Sequence, residues 1–326
     1  MKIPPDYKIT PNILSLISKV DTNLMFLSSL NVPIELKQKI QRISLLKSSL
    51  FSARIEGSTA TLETISKSES DQQKNREVFN ILKANKLLEK TIKNNFTISK
   101  KFIYNLHSMV MTGELAKTKN FRNEMGAIFN QAGVAVYLSP PPTQINLLIN
   151  QLIDYINSDI EKFPLICALV SHLVFEKIHP FVDGNGRVGR LFIFSILRAK
   201  GYSDGYLISF EKYLDENKSD YYYNLDQGYK NTEDYLVFML TAFLKESEEL
   251  KKQIESAQNG KTLLLPPRQE EIYFIIKEHA VVSFDNIRRR FLKVPERTLR
   301  YDLKKLAEKE LIIKIGETRG SYYKIS

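Results

Sequence analysis

Most of the chain carries apolar residues at helical rather than strand spacing. Over 34–98, charged and aliphatic positions interleave with few glycines and, after Pro33, no proline, which predicts helices, the first long one stopping at Gly57. Farther on, Ile166, Leu169, Val170, Leu173, Val174 and Ile178 recur three or four residues apart, and Pro180 predicts that this helix ends just after His179. A second helix is expected from Gly186 or Arg187. Its stretch 191–197 is apolar on nearly every face, so it should be buried on nearly every face. Residues 221–244 read as one further aromatic-rich helix. The period changes only at 125–138, where loose alternation around Ala132-Gly133, closed by Pro140, Pro141 and Pro142, predicts a β-hairpin.

The charged run 245–255, then Asn259-Gly260 and Pro266-Pro267, mark a linker and a fresh start. The division expected is an N-terminal helical region (1–98), a core (99–250), a linker (251–265) and a last domain (266–326). The chain has 326 residues, which suits more than one domain. It shows neither a secretory leader nor an apolar run able to span a bilayer, so a soluble cytoplasmic protein is expected. The lone Cys167 sits in an apolar run and reads as core. Of the net charge of +10, the segment 261–326 supplies +6, with 15 Lys+Arg against 9 Asp+Glu, making it the candidate nucleic-acid contact.

Residues 179–190 read His-Pro-Phe-Val-Asp-Gly-Asn-Gly-Arg-Val-Gly-Arg. A core needs none of these polar groups. A helix starting after Gly186 aims unpaired N–H groups and its positive dipole end at the loop, which makes an anion site. Gly184 and Gly186 allow close approach of a phosphate, and Arg187 and Arg190, one turn apart, can clamp two phosphates. Asp183 suits Mg²⁺, and His179 suits proton abstraction near neutrality. The set points to phosphoryl or nucleotidyl transfer. Gly184, Gly186 and Gly189 also satisfy the dinucleotide fingerprint, with Asp204 downstream, but that motif needs a preceding strand, and the preceding run has helical spacing.

These twelve residues resemble, position for position, the signature of the Fic family. The resemblance implies a helical Fic fold and a protein adenylyltransferase that transfers AMP from ATP to a Tyr, Ser or Thr hydroxyl of a target protein or of itself. His179 would be the base and Asp183 the Mg²⁺ carboxylate. Gly184, Asn185, Gly186 and the loop amides would bind the α-phosphate region, with Arg187 and Arg190 on the β- and γ-phosphates and Phe181 anchoring the loop. The hairpin is similar to the family's flap, with Ile128, Phe129 and Val136 on it and Arg122 supporting its base. Ser52, Glu56 and Gly57 resemble the family's inhibitory motif, in which Glu56 would pair with Arg190. A glutamate beside a helix-ending glycine sits at the unfavourable end of the helix dipole, which suggests a partner. The resemblance leaves addition and removal of AMP undivided, and implies a possible homodimer. His107, His172 and His279 read as core or surface, and the tyrosines at 221–229 as packing residues near an adenine pocket.

After Pro267, three helices and a β-hairpin look like a winged helix-turn-helix. Arg297, Thr298, Arg300, Lys304 and Lys305 would meet a major groove, with Lys314 and Arg319 on the wing, although such modules also dock proteins. The expected fold class is thus all-α with small hairpins. The competing function is a DNA-bound regulator whose core senses ATP without transfer.

Overall fold

The computed structural model describes residues 1–61, 75–111, 120–129, 135–202, 208–258, 265–279, 281–292, 294–316 and 321–326. It divides into two compact units, one of Met1–Thr59 with Arg76–Lys251, the other of Ala60–Asn75 with Lys252–Ser326. Among the described residues no helix is long and apolar enough to cross a membrane.

The first unit is helical: α1 (Pro11–Ser29), α2 (Ile34–Ile55), α3 (Arg76–Thr91), α4 (Lys100–Val110), α5 (Pro142–Asn157), α6 (Pro164–Ile178), α7 (Asn185–Ala199), α8 (Glu211–Glu216), α9 (Lys218–Gln227) and α10 (Thr232–Gln258). Between α4 and α5, strands β1 (Ala127–Phe129) and β2 (Ala135–Leu138) pair antiparallel as the expected hairpin. At its centre lies α6, buried at every residue from Leu165 to Ile178, so its apolar stripe is only part of what the core covers. α7 packs along it, and its Leu191–Leu197 segment is buried throughout, as its all-round apolar character requires.

Two boundaries differ from the reading of the sequence. The stretch 221–244 is not one helix: the chain turns at Gly228–Asn231 between α9 and α10. There a Cβ on Gly228 would lie 2.5 Å from Leu173 Cδ1, so the glycine permits close approach to α6, and the Thr232 hydroxyl donates to the Gly228 carbonyl at 2.8 Å. The stretch 251–265, read as a linker, is helical as far as Gln258, because its charged residues are good helix formers and continue α10. Within the expected N-terminal helical region, α1 lies ahead of the run 34–98 in which helical spacing is read. Its cap is Thr10, whose side chain accepts from the Ile13 N–H, with proline at the start of the helix.

In the second unit, α11 (Pro267–His279), β3 (Val281–Ser283), α12 (Phe284–Arg290), α13 (Glu296–Glu308), β4 (Ile312–Ile315) and β5 (Tyr322–Ile325) surround one apolar core centred on Ile276, Ile287, Leu299 and Leu306. The sheet is antiparallel in the order β3-β5-β4. β3 had escaped notice because three residues are too few to carry a period.

Candidate functional site

The residues from His179 to Arg190 join the C-terminal end of α6 to the N-terminal end of α7. His179 ends α6 in the left-handed region, at φ 49°, and Pro180 prevents the helix from continuing. Such a conformation is uncommon outside glycine and costs about 1–3 kcal/mol, so the surrounding structure must enforce it. Arg122 does so. Its backbone N–H donates to the Pro180 carbonyl at 2.9 Å and its Nε to the His179 carbonyl at 2.8 Å. The same guanidinium donates to the carbonyls of Glu124 and Pro140, both at 2.6 Å, which flank the hairpin. Arg122 therefore ties the hairpin's base to the histidine.

The His179 imidazole is largely buried, with Nδ1 sealed from solvent, so Nε2 is the ring nitrogen left for proton transfer. Burial pulls its pKa below the usual value. The Glu176 backbone carbonyl opposes that shift, Arg122 adds to it, and Glu56 and Asp183 oppose it. The ring is neutral near pH 7.

Within the loop, Gly184 has φ 84°, and a Cβ there would stand 2.4 Å from Met111 Sδ, so only glycine fits. Asp183 Oδ1 accepts from the Gly184 N–H at 2.6 Å and from Arg187 Nη2 at 3.1 Å. The Asp183 side chain is 56% exposed, open to an incoming group. Among the described residues no cluster of three or more His, Cys, Asp or Glu could hold a metal alone. A single open carboxylate fits Mg²⁺ arriving with a polyphosphate, because that ion commonly takes one or two carboxylates plus phosphate oxygens.

Asn185, expected in the α-phosphate region, is buried and bonds the backbone of the loop itself. Its Oδ1 accepts from the Phe181 N–H at 2.9 Å and its Nδ2 donates to the Phe181 carbonyl at 2.8 Å. A buried amide must be satisfied, and these two bonds brace the turn. Phe181 is the apolar anchor expected, 1% exposed.

Arg190 is fully buried and holds the end of α2. Its Nε donates to Ser52 Oγ, and its Nη2 to the Ser52 carbonyl and to Glu56 Oε1, each at 2.9 Å. Burial alone would lower its pKa. Glu56, Tyr221 and Tyr222 outweigh that and raise it above the usual value. Gly57, at φ 98°, closes α2 immediately after Glu56. A Cβ on Gly186 would come within 2.3 Å of Glu56 Oε1, so the carboxylate lies over the first turn of α7. What Glu56 loses at the negative end of α2 it regains at the positive end of α7. Tyr222 donates to the Ile55 carbonyl at 3.2 Å and Arg54 Nε pairs with Asp215 at 3.1 Å, fixing the helix end on its other side.

Several participants had not been singled out. His107 stacks on Phe181 at 3.9 Å, and its Nε2 lies 3.1 Å from the Asp183 carbonyl. A carbonyl can only accept, so Nε2 carries the proton and His107 pins the loop. Behind Arg190 lies a buried polar chain. The Tyr235 hydroxyl donates to the Leu169 carbonyl at 3.0 Å, so His172 Nδ1, 2.8 Å away, must donate to Tyr235, and its Nε2 accepts from the Tyr221 hydroxyl at 3.2 Å. Glu176 stands beside this chain with Oε1 unpartnered, its pKa pushed by burial up to about 8. A Cβ on Gly189 would lie 2.1 Å from that oxygen. Only α6 displayed these residues in the sequence, as apolar-run interruptions at His172 and Glu176.

Of the expected flap positions, Ile128 and Phe129 lie on β1 and Val136 on β2. The turn at 130–134, Asp204 and Arg319 fall outside the described residues. In the second unit Arg297, Arg300 and Lys304 are exposed on α13, with Arg300 over the Phe284 ring at 3.9 Å.

Residues 97–197 match the Fic/DOC family. A probable protein adenylyltransferase of Aquifex aeolicus is 32% identical over 96 residues, 29% of each chain. The protein adenylyltransferase Fic of Drosophila willistoni is 35% identical over 75 residues, 22% of this chain and 15% of the fly protein. The match thus spans less than a third of the length of these curated relatives. Among solved structures, a Fic family protein from Desulfovibrio desulfuricans superposes with a TM-score of 0.62 at 21% identity, covering 99% of this chain and 98% of that one. The chain carries a Fic/DOC domain within a Fic-type fold.

Proposed function

We propose that this chain is a protein adenylyltransferase that moves AMP from ATP to a hydroxyl side chain of a protein, and that Glu56 restrains it. One observation carries the reading. A carboxylate occupies the anion site at the head of α7 and holds Arg190 at 2.9 Å, beside a histidine that burial keeps neutral near pH 7. An anion seat filled by the chain's own acid, next to a base with nothing to deprotonate, is a restrained transfer site.

With Glu56 displaced, the amides of the first turn of α7 receive the phosphates, and Arg187 and Arg190 grip those that will leave. Asp183 would hold Mg²⁺, which supplies charge neutralisation on the polyphosphate. The target hydroxyl oxygen attacks the α-phosphorus, its proton passes to His179 Nε2, the bond to the bridging oxygen breaks, and pyrophosphate leaves. The hairpin adds a strand to the target segment, with Arg122 setting its distance from His179. Asn185 and His107 act by shaping the loop.

The test is incorporation of labelled AMP, with mass spectrometry of the chain after incubation with Mg-ATP. Glu56→Gly should raise incorporation well above wild type, and adding His179→Ala should abolish it, a loss of about 10²–10⁴-fold. Equal rates for wild type and Glu56→Gly would remove the restraint from the account. Incorporation that survives His179→Ala would remove the base.

For the second unit we infer a winged helix that binds DNA through α13. The order of helices and strands and the exposed Arg297, Arg300 and Lys304 support this. Affinity for duplex DNA should fall steeply with salt, and absence of binding at low salt overturns the inference.

A further inference from the structure

The guanidinium of Arg187 stands between two carboxylates. Its Nη2 donates to Asp183 Oδ1 at 3.1 Å, and its Nη1 lies 3.4 Å from Glu77 Oε1. The Asp183 carboxylate belongs to the loop and has its own use there. Glu77 does not: it comes from the first turn of α3, outside the loop altogether. Arg187 is 6% exposed along its side chain, so it cannot readily swing out to water. What changes when a ligand arrives is its partner. Glu77, 48% exposed, is free to leave.

α3 is not independent of the helix that carries Glu56. The two pack along each other, and Asn85 on α3 donates to Ser49 Oγ on α2 at 3.3 Å inside the contact. α3 also reaches the loop, because Asn80 Nδ2 donates to the Met111 carbonyl at 3.0 Å and Met111 Sδ lies against Gly184. One helix pair thus delivers an acid to each arginine, Glu56 to Arg190 and Glu77 to Arg187.

We propose that Glu77 is a second inhibitory acid, which fills the phosphate seat at Arg187 as Glu56 fills the one at Arg190. The proposal rests on the nucleotide-transfer reading above. Flanked by Asp183 and Glu77, the Arg187 site carries a net charge of −1. An incoming triphosphate must expel Glu77 or sit beside a like charge. If the Asp183 carboxylate turns to a metal ion, Glu77 alone remains to compete.

The experiment is isothermal titration of the full chain with magnesium and α,β-methylene-ATP, which cannot be cleaved at the α-phosphate. Glu77→Gln keeps the shape of the side chain and removes its charge. It should bind the analogue about fivefold more tightly than wild type, the upper range for a half-exposed ion pair. Glu56→Gly with Glu77→Gln should bind more tightly than either single variant. The Glu77→Gln gain should shrink between about 50 and 500 mM salt, because the half-exposed Glu77 is screened, while the gain from Glu56→Gly, which removes an acid only 26% exposed, should persist. An unchanged or weakened affinity in Glu77→Gln overturns the proposal, since it would mean that Glu77 merely orients Arg187. Failure of the underlying reading looks different: no variant, Glu56→Gly included, would bind the analogue at all. A gain in affinity cannot arise from misfolding, so a poorly folded variant cannot imitate the expected result.

Discussion

Two helices of this molecule each carry a pair of arginines three residues apart, Arg187 and Arg190 on α7, Arg297 and Arg300 on α13. In the sequence the pairs look alike. In the fold they are opposites. The first pair is buried, and each guanidinium is matched to acids from distant helices. The second is exposed, with Arg300 resting on the Phe284 ring and only 3.8 Å from Glu296, one turn earlier. Spacing says which side chains share a face. The surroundings of that face decide whether the charge is an incidental solvated group or a component that the rest of the chain must accommodate.

The comparison can be broken most directly by removing one arginine of each kind. Arg190→Ala strands Glu56 and takes the cation away from the buried groups around Glu176, so it should destabilise the first unit by about 3 kcal/mol or more in urea titration. Arg300→Ala should cost under about 1 kcal/mol in the second unit. Equal losses would mean that sealing adds nothing to the worth of the charge.

A smaller effect sharpens the point about buried groups. The Glu176 carboxyl is held up at about 8, against 4.5 when free, so the folded state keeps a proton that the unfolded state gives up. That preference stabilises the fold fully below about pH 4.5 and is lost as pH rises towards 8. Glu176→Gln mimics the protonated form and should flatten this dependence, gaining about 4 kcal/mol on wild type between pH 5 and 9. Parallel melting curves for the two proteins across that range would refute the assignment.

The chemistry has its own pH signature. Burial lowers the His179 pKa from 6.5, so the base is already free at neutrality. AMP transfer by Glu56→Gly should be flat around pH 7 to 8 and decline only on the acid side, below the ordinary histidine range. A decline that starts above pH 7 would place the proton elsewhere. The mildest change is on the exposed pair: Arg297→Ala should weaken DNA binding by about tenfold at most and reduce the salt slope by about 1.

Much of the site was legible because its parts are consecutive. Histidine, acid, glycines and arginines fall within twelve residues, and Pro180 and the glycines dictate the turn. Glu56 was legible for another reason, its position before a helix-ending glycine beside a recognisable pattern. What escaped notice is held across long separations by residues with ordinary local spacing. His107 meets the Asp183 carbonyl over 76 positions, and nothing in the run around it distinguishes a loop pin from a core histidine. Ser48 on α2, four residues before the Ser52 of the recognised pattern, was passed over, yet its hydroxyl donates to Glu211 at 2.7 Å across 163 positions. The break at Gly228 was missed because its cause, the nearness of Leu173, is tertiary.

Arg122 has a consequence for accuracy. One planar group grips both feet of the β-ribbon and the carbonyl of His179, the proposed base. If thermal motion shifts that peg, ribbon and ring travel in step, and the gap between a clasped hydroxyl and the imidazole is preserved. Aim is therefore set by a shared reference point, and the neighbouring framework can breathe without blurring it.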